Sequence, residues 1–134
     1  MTDANRADDA NAGAFRGMLT PEQHRVLREH GTEAPRSSPL DKENRTGVYY
    51  CVGCATALFE STTKFNSGTG WPSFFSPLEA AVATTTDRSH GMTRTEVHCV
   101  KCSGHLGHVF PDGPKPTGLR YCINGVSLRF EPTP

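Results

Sequence analysis

Five cysteines are the residues of this chain most able to do chemistry, and four of them form two Cys-x-x-Cys pairs, Cys51/Cys54 and Cys99/Cys102. Four thiolates complete the tetrahedral shell that zinc adopts in structural sites, so the pairs predict one structural Zn²⁺ per chain. Iron accepts the same shell. Disulfides and a redox-active Cys-x-x-Cys are other interpretations, but a thioredoxin-type motif needs a following helix, which the sequence indicates after neither pair.

The fifth cysteine, Cys122, has no such partner and is the candidate nucleophile. If residues 120–124 form a strand, alternate side chains share a face, so Arg120, Cys122 and Asn124 point the same way. The guanidinium would favour the thiolate, and the amide would offer a donor to a substrate oxygen. Two alternatives stay open: Cys122 is a small core residue, or Asn124-Gly125 is a hairpin turn.

Two histidines and the one tryptophan of the chain extend this hypothesis. His105 and His108 follow the second cysteine pair in a glycine-rich segment, so a rigid base holds them close to Cys122 in sequence. Trp71 stands in a glycine-rich loop, and aromatic faces bind S–CH₃ groups well. As alternatives, His105 joins the metal shell, although four cysteines already fill it, or Trp71 simply caps the core.

Composition limits the class of protein. A chain of 134 residues with 14 basic and 14 acidic side chains predicts one domain without a nucleic-acid-binding or membrane-binding surface. No apolar run approaches the roughly 18 residues of a membrane span, and acidic residues near the start (Asp3, Asp8, Asp9) argue against a secretory signal. We therefore expect a cytoplasmic monomer, in a reducing compartment where cysteine pairs are more often metal sites than disulfides.

The elements that position these residues are one helix and several short strands. Residues 1–18 are polar and aperiodic and predict a disordered tail, which leaves 19–134 as the folded domain. A helix begins after Thr20, which caps it together with Gln23, and Gly31 is its expected left-handed end. A further helical turn is expected at 76–79.

Strands are predicted at 48–51, 57–60, 81–86, 93–98, 108–110, 120–123 and 126–130, separated by glycine-rich or proline-rich segments. The predicted fold is mainly β, with two antiparallel sheets or a small open barrel, a short N-terminal helix outside it and a structural zinc site.

At this point the residues resemble those of the methionine-R-sulfoxide reductases of the B type. The resemblance runs from Leu-Thr-Pro-Glu-Gln at 19–23 to Leu-Arg-Phe at 128–130. It includes both Cys-x-x-Cys pairs, His-Gly-Thr-Glu at 30–33, Ser-Gly-Thr-Gly-Trp-Pro-Ser-Phe at 67–74, Gly-Met-x-Arg-Thr-Glu-Val at 91–97, His-Leu-Gly-His-Val-Phe at 105–110 and Gly-Leu-Arg-Tyr-Cys-Ile-Asn at 118–124.

The resemblance implies an enzyme that reduces methionine-R-sulfoxide, free or in proteins, as part of oxidative stress repair. Cys122 would attack the sulfoxide sulfur and become a sulfenic acid, while His105, His108 and Asn124 hold and protonate the oxygen. It also implies substrate-binding roles for four residues: Trp71 and Phe110 around the methyl group, and Asp112 and Arg120 in support.

One departure from the family concerns recycling. Many members carry a recycling cysteine where this chain has Thr69, and the four other cysteines are predicted metal ligands. We therefore expect an external thiol, such as thioredoxin, glutaredoxin with glutathione or a small thiol, to reduce Cys122. Gly125, where serine is usual, is a smaller departure.

Two other functions fit parts of the pattern. A zinc-ribbon-like binding module would leave Cys122 structural, but the even charge gives it no basic stripe. Another thiol enzyme, such as a peroxidase, would use the same nucleophile on a different oxidant.

Overall fold

A computed structural model describes residues 6–10, 12–13 and 19–133. Its one α-helix is α1 (Pro21–Glu29). The strands are β1 (Arg6–Ala10), β2 (Ala12–Gly13), β3 (Gly47–Cys51), β4 (Ala57–Glu60), β5 (Lys64–Phe65), β6 (Ser73–Phe74), β7 (Val82–Asp87), β8 (Arg94–Cys99), β9 (His105–Phe110), β10 (Arg120–Ile123) and β11 (Leu128–Pro132). Short 3₁₀ turns cover Pro39–Lys42, Ser61–Thr63, Ser89–Gly91 and Gly125–Ser127.

Two antiparallel sheets carry the fold, as the sequence predicted. The larger has six strands in the order β5-β6-β10-β9-β8-β7, and the smaller has three in the order β11-β3-β4. The larger sheet ends in β5 and β7, so in the described part of the chain it stays open rather than closing into a barrel. No helix within the described ranges is long and apolar enough to cross a bilayer.

Aromatic side chains join the two sheets. Tyr49 of β3 and Phe59 of β4 meet Phe74 of β6, with ring centroids 5.1 Å (Tyr49) and 4.3 Å (Phe59) from that of Phe74. All three side chains are fully buried. Such pairs contribute about 0.5–1.5 kcal/mol each beyond the burial of their area. The core therefore lies between the sheets, under the strands that carry the predicted site.

Helix α1 begins as the sequence predicted. The Thr20 hydroxyl accepts a hydrogen bond from the Gln23 N–H (3.1 Å), and the Gln23 side chain accepts one from the Thr20 N–H (2.8 Å). This reciprocal pair satisfies two backbone donors that the first turn leaves free. Val26 and Leu27 are the buried residues of α1, and this side of the helix packs against the rest of the protein.

The end of the helix differs from the prediction. His30, rather than Gly31, adopts the left-handed conformation, with φ 58°. Gly31 is needed for a different reason: a Cβ there would lie 2.6 Å from a guanidinium nitrogen of Arg25 and 2.9 Å from the Arg25 carbonyl oxygen. The glycine thus permits a close approach instead of an unusual backbone angle.

All seven predicted strands are present, with ends that shift by up to three residues, whereas the short strands β5 and β6 were not predicted. The helical turn expected at 76–79 is wrong. The Leu78 N–H bonds the Leu58 carbonyl of β4 (2.8 Å), and a single turn follows, in which the Ala81 N–H bonds the Leu78 carbonyl (3.2 Å). The hairpin turn considered at Asn124-Gly125 is also wrong, because a 3₁₀ turn at Gly125–Ser127 leads into β11.

The predicted tail over 1–18 is only partly within the described residues. Its β1 and β2 pair in an irregular antiparallel ladder. Residues 1–5, 11 and 14–18 lie outside the described residues, so the tail and the boundary at residue 19 stay predictions.

A buried carboxylate fixes the segment that follows α1. Glu33 is 1% exposed and accepts hydrogen bonds from the N–H groups of Gly125 and Val126, both at 2.9 Å. Its own N–H donates to the Asn124 side chain (2.9 Å). Burial raises the pKa of Glu33 above its usual value, against these two N–H donors. One residue thereby ties residues 30–33 to the end of β10.

We expect Glu33→Gln to lower the free energy of unfolding by about 2–4 kcal/mol, because glutamine keeps one acceptor oxygen and one of the two buried N–H groups loses its acceptor. Urea denaturation measures the change. Glu79→Gln, at an exposed carboxylate, is the matched control and should stay within about 0.5 kcal/mol of the parent chain. Equal stabilities of the two variants would contradict the anchoring role.

Candidate active site

The register between β9 and β10 brings the lone thiol and a histidine together. Cys122 lies directly opposite His108, and Arg120 lies opposite Phe110. Residues directly opposite in an antiparallel pair project from the same face of the sheet. Accordingly, the Arg120 guanidinium carbon lies 4.4 Å from the Phe110 ring centroid. Two adjacent strands thus present a thiol, an imidazole, a cation and an aromatic ring on one face.

A β-bulge adds the second histidine. Between β8 and β9 the register shifts, because Val97 pairs with Gly107 but His98 pairs with His105. Residues three apart in a regular strand face opposite ways, and the extra residue of a bulge resets that alternation. The ring centroids of His105 and His108 consequently lie 5.5 Å apart.

Each of these histidines has its own carboxylate. His105 Nδ1 lies 2.8 Å from Glu96 Oε2, and His108 Nε2 lies 2.8 Å from Asp87 Oδ2. An ionised carboxylate only accepts hydrogen bonds, so His105 Nδ1 and His108 Nε2 carry the protons. The second nitrogen of each ring, His105 Nε2 or His108 Nδ1, is not the one that bonds the carboxylate. Burial lowers the pKa of His105, with Glu96 acting in the opposite direction. The carboxylates therefore orient both rings.

A pocket of about 150 Å³ opens over this face. Its lining includes six residues proposed from the sequence, Trp71, His108, Phe110, Arg120, Cys122 and Asn124, together with Thr32, Arg94 and Gly107. Two of the proposed residues do not line it. His105 is 3% exposed and lies behind the pocket wall, and Asp112 contacts Arg120 from outside with hydrogen bonds of 2.8 and 3.1 Å.

Backbone contacts hold the pocket walls in place. The Asn124 side chain accepts from the Glu33 N–H and donates to the Leu106 carbonyl oxygen (3.1 Å). The Trp71 indole N–H donates to the Glu33 carbonyl oxygen (3.1 Å). A side chain at Gly107 would collide with the Cys122 carbonyl, so glycine allows β9 and β10 to approach closely there.

Opposing effects act on the thiol of Cys122, which is half-buried. Burial raises its pKa, while a hydrogen bond with Thr69 and the nearby Arg120 guanidinium act in the opposite direction. The balance favours the neutral thiol in the free protein. Its position in the pocket lining does not fit the alternative of a sealed core cysteine.

The other four cysteines gather in a separate cluster. All four sulfur atoms lie within 4.8 Å of one another, with Cys51–Cys102 at 3.7 Å and Cys54–Cys99 at 3.6 Å. Zinc–sulfur bonds of about 2.3 Å in a tetrahedron place sulfurs about 3.8 Å apart. The four cysteines can therefore hold a metal ion.

The two halves of this cluster have the same backbone conformation. Ala55 and Ser103, each just after a pair, adopt left-handed φ angles of 66° and 61°. Their N–H groups donate to the carbonyls of Cys51 (2.8 Å) and Cys99 (2.9 Å). Leu27 of α1 packs so closely on both halves that a Cβ on Gly53 or Gly104 would lie 2.6 Å from it.

Several residues of the site had no role in the sequence interpretation. Thr32, Arg94 and Gly107 line the pocket, while Glu96 and Asp87 orient the histidines. Four of them could have been found from the sequence, because they fall within the motifs that carry the family resemblance: Thr32, Arg94, Glu96 and Gly107. Asp87 had no such signal.

The fold and this site define a mainly β protein with one pocket thiol and a separate four-cysteine cluster. The chain belongs to the SelR domain family, whose model matches residues 19–132.

Three similar proteins are each named peptide methionine sulfoxide reductase MsrB. The protein from Pseudomonas putida (strain W619) is 56% identical over 125 residues, covering 92% of this chain and 94% of its own length. The one from Agrobacterium fabrum is 57% identical over 119 residues, covering 88% of each chain. The one from Pseudomonas syringae pv. syringae (strain B728a) is 60% identical over 119 residues, covering 88% of this chain and 91% of its own.

We expect the rate of Cys122 alkylation by iodoacetamide to rise with pH to a plateau. The midpoint of this rise should lie above that of a free thiol, because burial disfavours the thiolate. Arg120→Met should move the midpoint higher still and slow alkylation at a fixed pH by up to about tenfold per pKa unit. Mass spectrometry of the Cys122 peptide against time gives the rates.

Asp112→Asn is the matched control, because it removes the partner of Arg120 but keeps the cation. It should not slow alkylation. A midpoint at or below that of a free thiol in the parent chain would contradict this account of the thiol.

Proposed function

We propose that this protein is a peptide-methionine (R)-S-oxide reductase, an oxidoreductase that converts methionine-R-sulfoxide, free or in proteins, to methionine. The observation that carries the proposal is Cys122 in a pocket, opposite His108 and with Trp71 in the lining. The names of the similar proteins support the same reaction.

The reaction requires that oxygen leave a polarised S⁺–O⁻ group. Protonation or strong hydrogen bonding of the oxygen makes the sulfur electrophilic, which is the role we assign to His108, with His105 and Asn124 in support. The Cys122 thiolate then attacks sulfur. This attack forms a sulfur–sulfur bond. The S–S bond and the S–O bond of the substrate then break as the protonated oxygen passes to the cysteine sulfur, so methionine leaves and Cys122 becomes a sulfenic acid. Cysteine sulfur is oxidised as methionine sulfur is reduced.

The remaining pocket residues fit the rest of the substrate. We assign Trp71 and Phe110 to the S–CH₃ group, because aromatic faces attract polarised methyl and thioether groups. Arg120 stacks on Phe110 while Asp112 holds its guanidinium, so this pair supports one wall of the pocket and supplies positive charge near the thiol.

We propose that the four-cysteine cluster holds one structural Zn²⁺ per chain. The sulfur separations fit tetrahedral coordination, and a shell completed by four cysteines leaves no position for substrate. The ion would supply folding free energy and take no part in the reaction. Zinc sites of this kind contribute about 10–16 kcal/mol in peptide systems at neutral pH.

We further propose that an external thiol recycles the enzyme. Thr69, whose side chain acts to lower the pKa of Cys122, has no thiol to offer, and the other four cysteines lie together in the cluster. Thioredoxin, glutaredoxin with glutathione, or a small thiol could attack the sulfenic acid. This requirement favours the reducing cytoplasm. We also propose that the protein acts as a monomer.

A single-turnover experiment tests the function. Reduced protein mixed with one equivalent of methionine-R-sulfoxide, without other thiol, should yield methionine and Cys122 carrying one added oxygen. Cys122→Ser should abolish methionine formation, and His108→Asn should slow it by about 10²–10⁴-fold because the proton donor is lost. Chromatography measures methionine, and mass spectrometry measures Cys122.

The S epimer is the substrate control and should stay unreduced. Turnover by Cys122→Ser, or equal reduction of both epimers, would refute the function. A disulfide between Cys122 and another cysteine of the chain after one turnover would refute the recycling proposal alone.

Removal of zinc tests the structural site. We expect about one zinc per chain by elemental analysis, and a cooperative loss of structure in circular dichroism when a chelator removes it. Cys54→Ser should lose the metal and fold poorly. Cys122→Ser, the matched control, should retain both zinc and fold. Native thermal stability without bound metal would contradict the structural role.

A further inference from the structure

Three potential metal ligands converge beside the pocket, outside the cysteine cluster. Glu96 Oε2 lies 2.9 Å from His30 Nδ1 and 2.8 Å from His105 Nδ1. All three atoms lie within 4.8 Å of one another. None of these residues lines the pocket over Cys122, so the group is distinct from the pocket lining.

Three separate elements fix this His–Glu–His group. His30 occupies the left-handed C-terminal position of α1, Glu96 lies in β8 and His105 is the first residue of β9. The side chains of Glu96 and His105 are 12% and 3% exposed, whereas that of His30 is 63% exposed. The group is therefore rigid on its inner side and open to solvent at His30.

Two imidazoles and one carboxylate are a common ligand set for zinc sites that keep a fourth position for water. Metal–nitrogen and metal–oxygen bonds of about 2.0–2.2 Å in a tetrahedron place the ligand atoms about 3.3–3.5 Å apart. The observed separations of 2.8 and 2.9 Å would have to open by about half an ångström. A neutral imidazole can carry its proton on Nε2 instead of Nδ1. Both histidines can therefore offer the Nδ1 lone pair to a metal while the ring stays neutral.

We propose that His30, Glu96 and His105 form a second, exchangeable site for a divalent transition metal such as Zn²⁺, and that its occupancy inhibits the reductase. The inhibitory part rests on the proposed function; the binding part does not. Bound metal would occupy His105 Nδ1, which then no longer donates to Glu96. His105 could not take up a second proton while it is bound to the metal. It could therefore no longer support His108 in protonating the sulfoxide oxygen.

The solvent-exposed ligand gives the sharpest test of binding. His30→Asn removes one imidazole, and asparagine tolerates the left-handed backbone that His30 adopts. His24→Asn is the matched control, because His24 is also exposed, on the same helix, with Nδ1 3.2 Å from a carboxylate oxygen of Glu29.

Isothermal titration calorimetry of untagged protein already loaded with one zinc per chain measures further Zn²⁺ binding. The parent chain and His24→Asn should bind one more equivalent. His30→Asn and Glu96→Gln should weaken that step by at least about tenfold, since loss of a supporting partner alone costs about 10–100-fold. Absence of a second equivalent, or the same binding in His30→Asn, overturns the site.

The coupling to catalysis has its own readout. In the single-turnover reaction without dithiol, saturating Zn²⁺ should slow methionine formation at least tenfold in the parent chain and in His24→Asn, but not in His30→Asn. Inhibition that persists in His30→Asn would assign the effect to Zn²⁺ on Cys122, and second-site binding without inhibition would refute the coupling. If the protein reduces no sulfoxide at all, the calorimetry still decides the site.

Discussion

The meeting of the two sheets at the four-cysteine cluster is the constraint on which the site depends. Cys51 and Cys54 lie at the turn from β3 to β4, in the small sheet, and Cys99 and Cys102 lie at the turn from β8 to β9, in the large one. Bringing the four sulfurs within 4.8 Å fixes where β9 begins. Because β9 carries both histidines and pairs with β10, the position of the thiol follows from that starting point.

The segment after α1 supplies a second, independent constraint. The buried Glu33 carboxylate binds the backbone just beyond β10, its N–H binds Asn124, and its carbonyl binds the Trp71 indole. One residue thus contacts two residues of the pocket lining, Asn124 and Trp71, without lining the pocket itself. Removal of such a residue would disturb geometry rather than chemistry, so its loss is expected to lower stability as well as turnover.

Much of the fold could be predicted from the sequence, because its signals are local. The capping pair Thr20 and Gln23 and the seven strands come from patterns a few residues long. The alternation that placed Arg120, Cys122 and Asn124 on one face also held, since all three line the pocket. What could not be predicted depends on register. A bulge in the pairing of β8 with β9 brings His105 toward His108. The carboxylates that bond these histidines, Glu96 and Asp87, lie on other strands. Pairing between strands leaves no pattern in the sequence of one strand.

Thr69 beside the nucleophile has a consequence for the order of events in a catalytic cycle. The sulfenic acid on Cys122 would lie in the same pocket, of about 150 Å³, that takes the sulfoxide. On the proposed recycling by an external thiol, sulfoxide and thiol react in turn at this one pocket, which is the condition for ping-pong kinetics. Excess sulfoxide would compete with the external thiol for this pocket. The turnover rate would therefore be highest at an intermediate ratio of the two concentrations.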